Sequence, residues 1–536
     1  MFGLLDAILG TRLDDWLAAP GVTGDPAYDD RLRVLATMLT LRWQEAAELA
    51  RQLGEPQDTE ARWLHHAVLA WAASGDPGPE SDQVLAVFTR DDLPDVDAPL
   101  GRFAAYVAVE AAMAHARLDL AAELVGRLGE GLWTPLGHEF DAMVVACRVR
   151  LLAFRGEIAS ARRVLEAATA PMTGSPAGMI LAATECLVRG NDAEPAEVRR
   201  LAGIVEEQVP EPRDLLGAGS QMLAAFGLIA VGDVVEAVRR LLVAGRDADL
   251  SALNVVDRAL GLELLVALAV AEENLDDAEV WRDRALPLLA SPIADSTVAR
   301  LLSRVELLAG RPAEAVAWAE RAVDRARATD RGIEAAEGEI VLSRARLALR
   351  GPGDRGRAVT ALEEMVAAAE ARGHRSVRTS AARELRPLGV RLRPLAGSGW
   401  TGLTAREAEV ARAVAAGESN SEIAQRLSLS AHTVRAHVSR VLAAFGVAGR
   451  SALPTAMGRS RAGPDRPALT PRQRQIAGLV AEGLANAEIA QRLEVSPRTV
   501  ERHVSDILLR WGLTSRTAVA GAVVSGTTLR DDERAG

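Results

Sequence analysis

Lysine is missing altogether: all 62 basic residues of this 536-residue chain are arginine. That absence excludes much chemistry. A P-loop needs its lysine on the phosphates, and a protein kinase needs one on its third strand. Lysine nucleophiles and Schiff bases go with them. Cysteine is almost missing too. Cys147 and Cys186 lie in apolar helical stretches and read as reduced, structural residues, so a disulfide framework or a zinc site is not available. No apolar run approaches a membrane span. The N-terminal stretch MFGLLDAILGTRLDDW has no basic n-region and carries Asp6, so it does not read as a signal peptide. A cytoplasmic protein without a membrane partner is expected.

The length predicts three or four domains. Charge divides them. The net charge is −11, yet from Gly397 onward 18 Arg stand against 13 acidic residues, while the first 396 residues hold 44 Arg against 60 acids. The C-terminal part is the one that could approach phosphates; the acidic remainder would be repelled from them.

Residues 1–392 read as almost wholly helical. Ala, Leu, Val, Glu and Arg dominate, apolar positions recur at helical spacing, and strand-like alternation is scarce. A turn residue, four others and then Ala recur along this stretch. The clearest copies are Gly310 with Ala315, Ala319 and Ala322; Gly156 with Ala161, Leu165 and Ala168; and Gly232 with Ala237, Leu241 and Ala244. Weaker copies centre on Ala46, Ala122, Ala196, Ala278 and Ala358, at intervals of about forty residues, with one unit near Gln83 hard to see. Gly would make the turn and Ala would let paired antiparallel helices approach closely. Such pairs bury their apolar faces by stacking on neighbours, which predicts a solenoid. The pattern resembles tetratricopeptide (TPR) repeats, somewhat lengthened; a non-repeating helical bundle is the competing reading.

The last quarter is duplicated. Leu403–Leu453 recurs at Leu469–Val519, offset by 66 residues without a gap, and EIAQRL is repeated letter for letter. Each copy predicts four short helices. Thr404 with Glu407, and Thr470 with Gln473, have capping-box spacing. Gly417 and Gly483 would end the first helix. Asn420 and Asn486 could cap the second, and the third starts at Ser430 or Ser496. A short helix, a tight turn and a second helix make a helix-turn-helix, whose second helix is shaped for the major groove. The flanking stretches are rich in Pro, Gly and Ser and read as linkers. The domain boundaries that follow are 1–392 for the array, 393–402 a linker, 403–457 the first helix-turn-helix, 458–468 a linker, 469–526 the second, and 527–536 a disordered tail.

The segments LTAREAEVARAVAAGESNSEIAQRLSLSAHTVRAHVSRVLAAFGVAGR and LTPRQRQIAGLVAEGLANAEIAQRLEVSPRTVERHVSDILLRWGLTSR resemble the LuxR/FixJ-type helix-turn-helix of bacterial transcription factors. The whole chain is thus expected to be all-α, a TPR-like solenoid followed by two four-helix LuxR-type domains. The resemblance implies a double-stranded DNA partner, read in the major groove, and a nucleoid-associated location. Residues one turn apart face the groove in each recognition helix: Thr433, Arg435, Ala436, Ser439 and Arg440 in the first, Thr499, Glu501, Arg502, Ser505 and Asp506 in the second. The resemblance implies DNA contacts at Arg435, Ala436 and Ser439 and at Glu501, Arg502 and Ser505; His437 and His503 are expected to pack or to touch backbone phosphate, and Arg498 to offset the charge of Glu501. Arg435 could read guanine or grip a phosphate. Glu501 could accept from a cytosine amino group or pair with a nearby Arg. Val434, Val438, Val500 and Val504 should face inward with Ile423, Leu427, Ile489 and Leu493. The family's fourth helix commonly pairs two chains. In the second copy it would run through Val519 and Val523, which predicts a homodimer; in the first, Pro454 should cut it short.

The chain also resembles the back half of large ATP-dependent LuxR-type regulators, without the ATPase half, and the lysine a phosphoacceptor receiver depends on cannot exist here. No catalytic residue, metal or cofactor is expected. GPGDRG at 351–356 follows a helix, not a strand, and reads as a loop between repeats. His65–His66 and His138–Glu139 have no partners at useful spacing. Trp43, Trp63, Trp281 and Trp318 read as core, with a ligand groove inside the solenoid as the alternative. Two functions compete. One is a DNA-binding regulator whose array senses a small molecule, peptide or protein. The other is a protein-interaction adaptor whose helix-turn-helix pair serves dimerisation or weak DNA anchoring.

Overall fold

The computed structural model describes residues 24–75, 84–89, 92–135, 137–168, 176–390, 392, 403, 405–445, 447, 449–450, 453, 457, 471–481, 486–493 and 496–511. Every regular element among them is helical. The chain divides into two compact units, Met1–Arg391 and Leu392–Gly536.

The first unit is an array of stacked α-helical pairs. Its helices are α1 (Pro26–Leu39), α2 (Trp43–Gln52), α3 (Thr59–Ala73), α4 (Pro99–Ala114), α5 (Leu118–Leu128), α6 (Phe140–Phe154), α7 (Ile158–Ala167), α8 (Pro176–Asn191), α9 (Pro195–Gln208), α10 (Leu215–Ala230), α11 (Val234–Gly245), α12 (Val255–Ala271), α13 (Leu275–Ala285), α14 (Asp295–Leu308), α15 (Pro312–Ala328), α16 (Gly332–Leu349), α17 (Asp354–Arg372) and α18 (Arg375–Leu385). Consecutive helices pack against each other, and α6, α8 and α10 also pack in succession. Those inner helices are buried over most of their surface, whereas α7 buries only Ile158 and Ala161. An inner helix therefore reads as apolar nearly all round, and an outer one as a single stripe.

One local rule generates the pairs. Leu41, Ala116, Gly156, Ala193, Gly232, Glu273, Gly310 and Gly353 all have positive φ. Five residues after each comes a small residue at most 1% exposed: Ala46, Ala121, Ala161, Val198, Ala237, Ala278, Ala315 and Ala358. In most of these turns the residue after the left-handed one donates its N–H five residues back, as Glu157 does to Leu152, Asp233 to Leu228 and Arg311 to Glu306. That six-to-one bond is a Schellman closure, satisfying a carbonyl the helix end would leave bare. The small residue then sits where the outer helix crosses the inner one. Two expected copies shift register for this reason: the buried residue is Ala121, not Ala122, and Val198, not the exposed Ala196. The unit expected near Gln83 lies outside the described residues, apart from a short 3₁₀ turn at Ala86–Thr89. GPGDRG is the turn between α16 and α17, with Gly353 left-handed.

The array also winds back onto itself, which a simple stack does not do. Helices α6, α7 and α8 touch α16, α17 and α18, ten elements later. At this seam Arg155 Nε lies 2.5 Å from Asp330 Oδ2, and Asp119 N–H donates to the Thr329 carbonyl at 3.3 Å. A Cβ on Gly332 would fall 2.1 Å from the Arg155 carbonyl oxygen, so two backbones meet there and only glycine fits. Asn191 Oδ1 accepts from Ser376 Oγ at 3.1 Å, and Asp192 is bridged by Arg162 at 2.8 Å and Arg375 at 3.2 Å.

Trp43 and Trp63 are core residues as expected, but Trp281 and Trp318 are only partly buried. The guanidinium carbons of Arg284 and Arg321 lie 4.7 and 5.5 Å from their ring centres. These two rings are half-covered by cations on outer helices rather than by the core. Cys147 and Cys186 are free and buried, and burial pushes the Cys186 thiol up to about 12.

Candidate nucleic-acid interface

Among its described residues the second unit holds α19 (Ala405–Ala415), α20 (Asn420–Leu427), α21 (Ala431–Ala444), α22 (Pro471–Ala481), α23 (Asn486–Arg492) and α24 (Pro497–Trp511), the first three in the first copy and the last three in the second. Helix α19 ends at Gly417, which is left-handed. Ser419 caps α20. Its hydroxyl accepts from Glu422 N–H at 3.3 Å, and the Glu422 carboxylate accepts from Ser419 N–H at 2.6 Å, a complete capping box. Asn420 is therefore the first helical residue and not the cap; its Oδ1 accepts from Arg450 Nη1 at 2.6 Å. The turn runs from Ser428, left-handed at φ 52°, to Ser430, which caps α21. The Ser430 hydroxyl accepts from Thr433 N–H at 3.0 Å; in the second copy Ser496 accepts from Thr499 N–H at 3.1 Å. Thr404, Thr470 and Gly483 lie outside the described residues.

The valines of the recognition helices face inward as expected. Val434 and Val438 pack with Ile423, Val410 and Val414, with Leu427 at the edge. Val500 and Val504 pack with Ile489, Ile476 and Val480, with Leu493 at the edge. Leu453 and Met457 are helical and buried in the first core, with Pro454 between them outside the described residues. An arginine strap holds helix one to helix two in both copies. Arg406 donates to the Leu427 carbonyl, and Arg472 Nη2 donates to the Leu493 carbonyl at 2.7 Å. Each strap satisfies a carbonyl at the end of helix two, where a cation also meets the negative end of the helix dipole. The identity of these arginines at the same place in both copies is the sequence signal that marks them.

The outer faces carry the groove-facing candidates. Arg435 and Ser439 are exposed, and Ala436, His437 and Thr433 are half-buried. Arg435 makes no ion pair or hydrogen bond among the described residues, so its guanidinium fork is free for a base edge or a phosphate. Arg440 is not free in this way. Its Nε donates to Glu407 Oε1 at 2.5 Å, and its Nη2 lies 2.8 Å from His437 Nδ1. Burial and then Arg440 hold His437 below the usual histidine value, which keeps the ring neutral. The second copy replaces this trio with Gln473, His503 and Asp506. There the buried His503 Nδ1 has no hydrogen-bond partner among the described residues. Glu501 and Ser505 are exposed, and Thr499 is half-buried. The side chains of Arg498 and Arg502, and all of Val519 and Val523, lie outside the described residues.

Residues 401–456 and 467–523 match the family of bacterial regulatory proteins, luxR family. The two segments are LuxR-type helix-turn-helix domains. Over 48 residues the chain is 52% identical to a Mycobacterium bovis protein, Mb0914c, named as an HTH-type transcriptional regulator, covering 9% of this chain and 5% of that one. It is 46% identical over 52 residues to the nitrate/nitrite response regulator NarL of Escherichia coli K12, covering 10% and 24%. The chain thus spans a small part of the length of the curated relatives it matches. The crystal structure of the APC/C hetero-tetramer Cut9-Hcn1 aligns over 85% of this chain and 95% of that one, at 11% identity and a TM-score of 0.24, too low to say anything of the array. No helix among the described residues is long and apolar enough to cross a membrane, and they hold no group of three His, Cys, Asp or Glu able to bind a metal.

Proposed function

We propose that this chain is a sequence-specific, DNA-binding transcriptional regulator, acting on cytoplasmic DNA, whose helical array senses a ligand or protein partner. One observation carries the reading: two LuxR-type domains in one chain, the first presenting the unpartnered guanidinium of Arg435 on the outer face of its recognition helix. A cation one turn from Ser439 can take a guanine edge in two hydrogen bonds, with Ser439 reaching the next base or a phosphate. The second domain offers Glu501 at the position of Arg435, so the two helices read different sequences or share the work unequally. The full chain should bind duplex DNA with an affinity that falls steeply as salt rises, and mapping of bound sites across a genome should return a defined sequence. A flat salt response with no enriched sequence would favour the adaptor reading.

Self-association belongs to the same proposal. One chain carries two recognition helices, and adjacent half-sites on DNA lie roughly 34–36 Å apart. Pairing of two chains through the segment holding Val519 and Val523 would supply the symmetry.

A further inference from the structure

The inner helices of the array line an open cavity of about 480 Å³, within the range of small-molecule sites, roughly 300–1,000 Å³. Its wall draws on residues from Trp71 in α3 to Glu384 in α18, so it exists because the array closes at its seam. Part of the wall is apolar: Trp71, Tyr106, Met143, Phe154, Met222 and Phe226. The rest is charged and, with one exception, its acids are paired. Glu110 lies 2.5 Å from Arg150, Glu334 3.0 Å from Arg331 and Glu384 2.6 Å from Arg344. Glu263 takes the Arg300 fork, and Glu337 faces Arg304 at 3.8 Å.

The exception is Asp257. Among the described residues no arginine reaches it, and its carboxylate accepts only the Asn254 side-chain amide, at 2.8 Å. Arg150 is close enough to favour the ionised form, but that guanidinium is already bonded to Glu110. Burial pushes Asp257 up to about 6, still ionised at neutral pH. The local set of Glu110, Arg150 and Asp257 therefore leaves one negative charge beside an apolar wall. Arg383, the wall guanidinium without an ion pair among the described residues, is exposed to solvent. A poorly solvated anion is costly unless a cation or a strong donor meets it. An anionic ligand would add to the excess, a neutral one without a donor would strip water from Asp257 and return nothing, and a neutral donor would return a hydrogen bond weaker than a charge-assisted one.

We propose that this cavity binds a small amphipathic amine, with its ammonium on Asp257 and its apolar body against the wall from Trp71 to Phe226. The inference rests on the array being the sensing part of the chain, and it names the class of molecule sensed.

Three probes of one shape and different charge test it on the full-length chain without DNA: 4-phenylbutylamine, 4-phenylbutyrate and 4-phenylbutan-1-ol, followed by calorimetry and tryptophan fluorescence. Saturable binding of the amine is expected, about tenfold or more tighter than the carboxylate, the size of one charge-assisted contact. Asp257→Asn should bring the amine down to the level of the alcohol. Gly219 lines the cavity, and a Cβ there would meet nothing within 4 Å. Gly219→Phe should therefore fill the space, keep the helical spectrum and abolish binding of all three, which covers the case in which Asp257→Asn fails to fold. No saturable amine binding, equal binding of the three probes, or preference for the carboxylate overturns the proposal. Because DNA is absent, such a failure leaves the DNA-binding reading standing, and a failure to bind DNA leaves the probe result standing.

Discussion

Asn191 and His374, 183 residues apart in sequence, meet at the seam of the array, where Nε2 of the histidine lies 2.8 Å from the asparagine Oδ1. Because Asn191 Oδ1 can only accept, Nε2 carries the proton. A second proton, which would charge the ring, is disfavoured there. Burial, and then Arg372, lower His374 to about 4.

That value makes the seam acid-labile. Unfolded, the imidazole takes its proton near pH 6.5. Folded, it resists until about 4, so its contribution is whole above 6.5 and is lost as pH falls through that window. His65, also lowered to about 4, acts in the same sense. Asp257, pushed up to about 6, acts in the opposite sense: its proton stabilises the folded chain at low pH, and that contribution fades as pH rises through 6. His374→Gln should keep a donor for Asn191 and remove up to about 3 kcal/mol of the acid-side loss. Denaturation midpoints measured from pH 7.5 down to 4.5 check this; an unchanged slope would mean that His374 titrates normally.

The Arg440–Glu407 pair in the first helix-turn-helix should hold helix three to helix one. Glu407 is buried and Arg440 half-buried, so each single alanine substitution should cost about 1.5–3 kcal/mol, the range for a hydrogen bond to a charged group. The double mutant should cost clearly less than the sum. A double-mutant cycle on thermal unfolding of the full chain measures the coupling, and a coupling near zero would return Arg440 to the DNA-contacting set.

Arg435→Ala should weaken binding by about 1–3 kcal/mol and relax sequence preference at one base position. Selection from a randomised duplex pool reads this directly. Equal weakening on all sequences would make Arg435 a phosphate contact. Glu501→Ala is the matching probe of the second domain, where unchanged specificity means that Glu501 reads no base.

Val519→Asp or Val523→Asp should convert a dimer to a monomer and weaken DNA binding. Sedimentation of the wild type with and without DNA comes first, since a strict monomer in both removes the dimer from the proposal.

The repeat rule has its own test. Ala237 is fully buried where α11 crosses the inner helices, and Ala237→Leu should overpack that crossing at a cost of about 1–3 kcal/mol. Val235, two residues earlier and 67% exposed, should accept Leu within about 0.5 kcal/mol. Chemical denaturation of the two variants compares them.

The helical class, the array and the duplicated domain could be read from the sequence because each rests on local signals repeated many times. The repeat register was harder. Gly marks the left-handed turn at Gly156, Gly232 and Gly310, but Leu41, Ala116, Ala193 and Glu273 take the same conformation with side chains that normally avoid it. The six-to-one closure compels them, and a search for glycine passes them over. The cap of α20 moved by one residue because Ser419 and Asn420 are both good caps, and only the partner Glu422 chooses between them. The seam left no sequence trace: Asn191, Ser376 and His374 carry no motif, and nothing local announces a contact across 183 positions. The cavity lies with the seam: nothing local marks Trp71 or Asp257, whereas Trp281 and Trp318 stand out on amphipathic helices.

Closure ten elements apart also changes what kind of variation this array tolerates. An open stack can gain or lose one helical pair anywhere, since each unit answers only to its neighbours. Here an added or deleted pair between α8 and α15 would move Asn191 out of step with His374, Asp330 out of step with Arg155, and Gly332 away from the one carbonyl that needs it small. The number of units in that stretch is therefore counted by the fold itself, and change in this region must come by substitution, with length change confined to the ends.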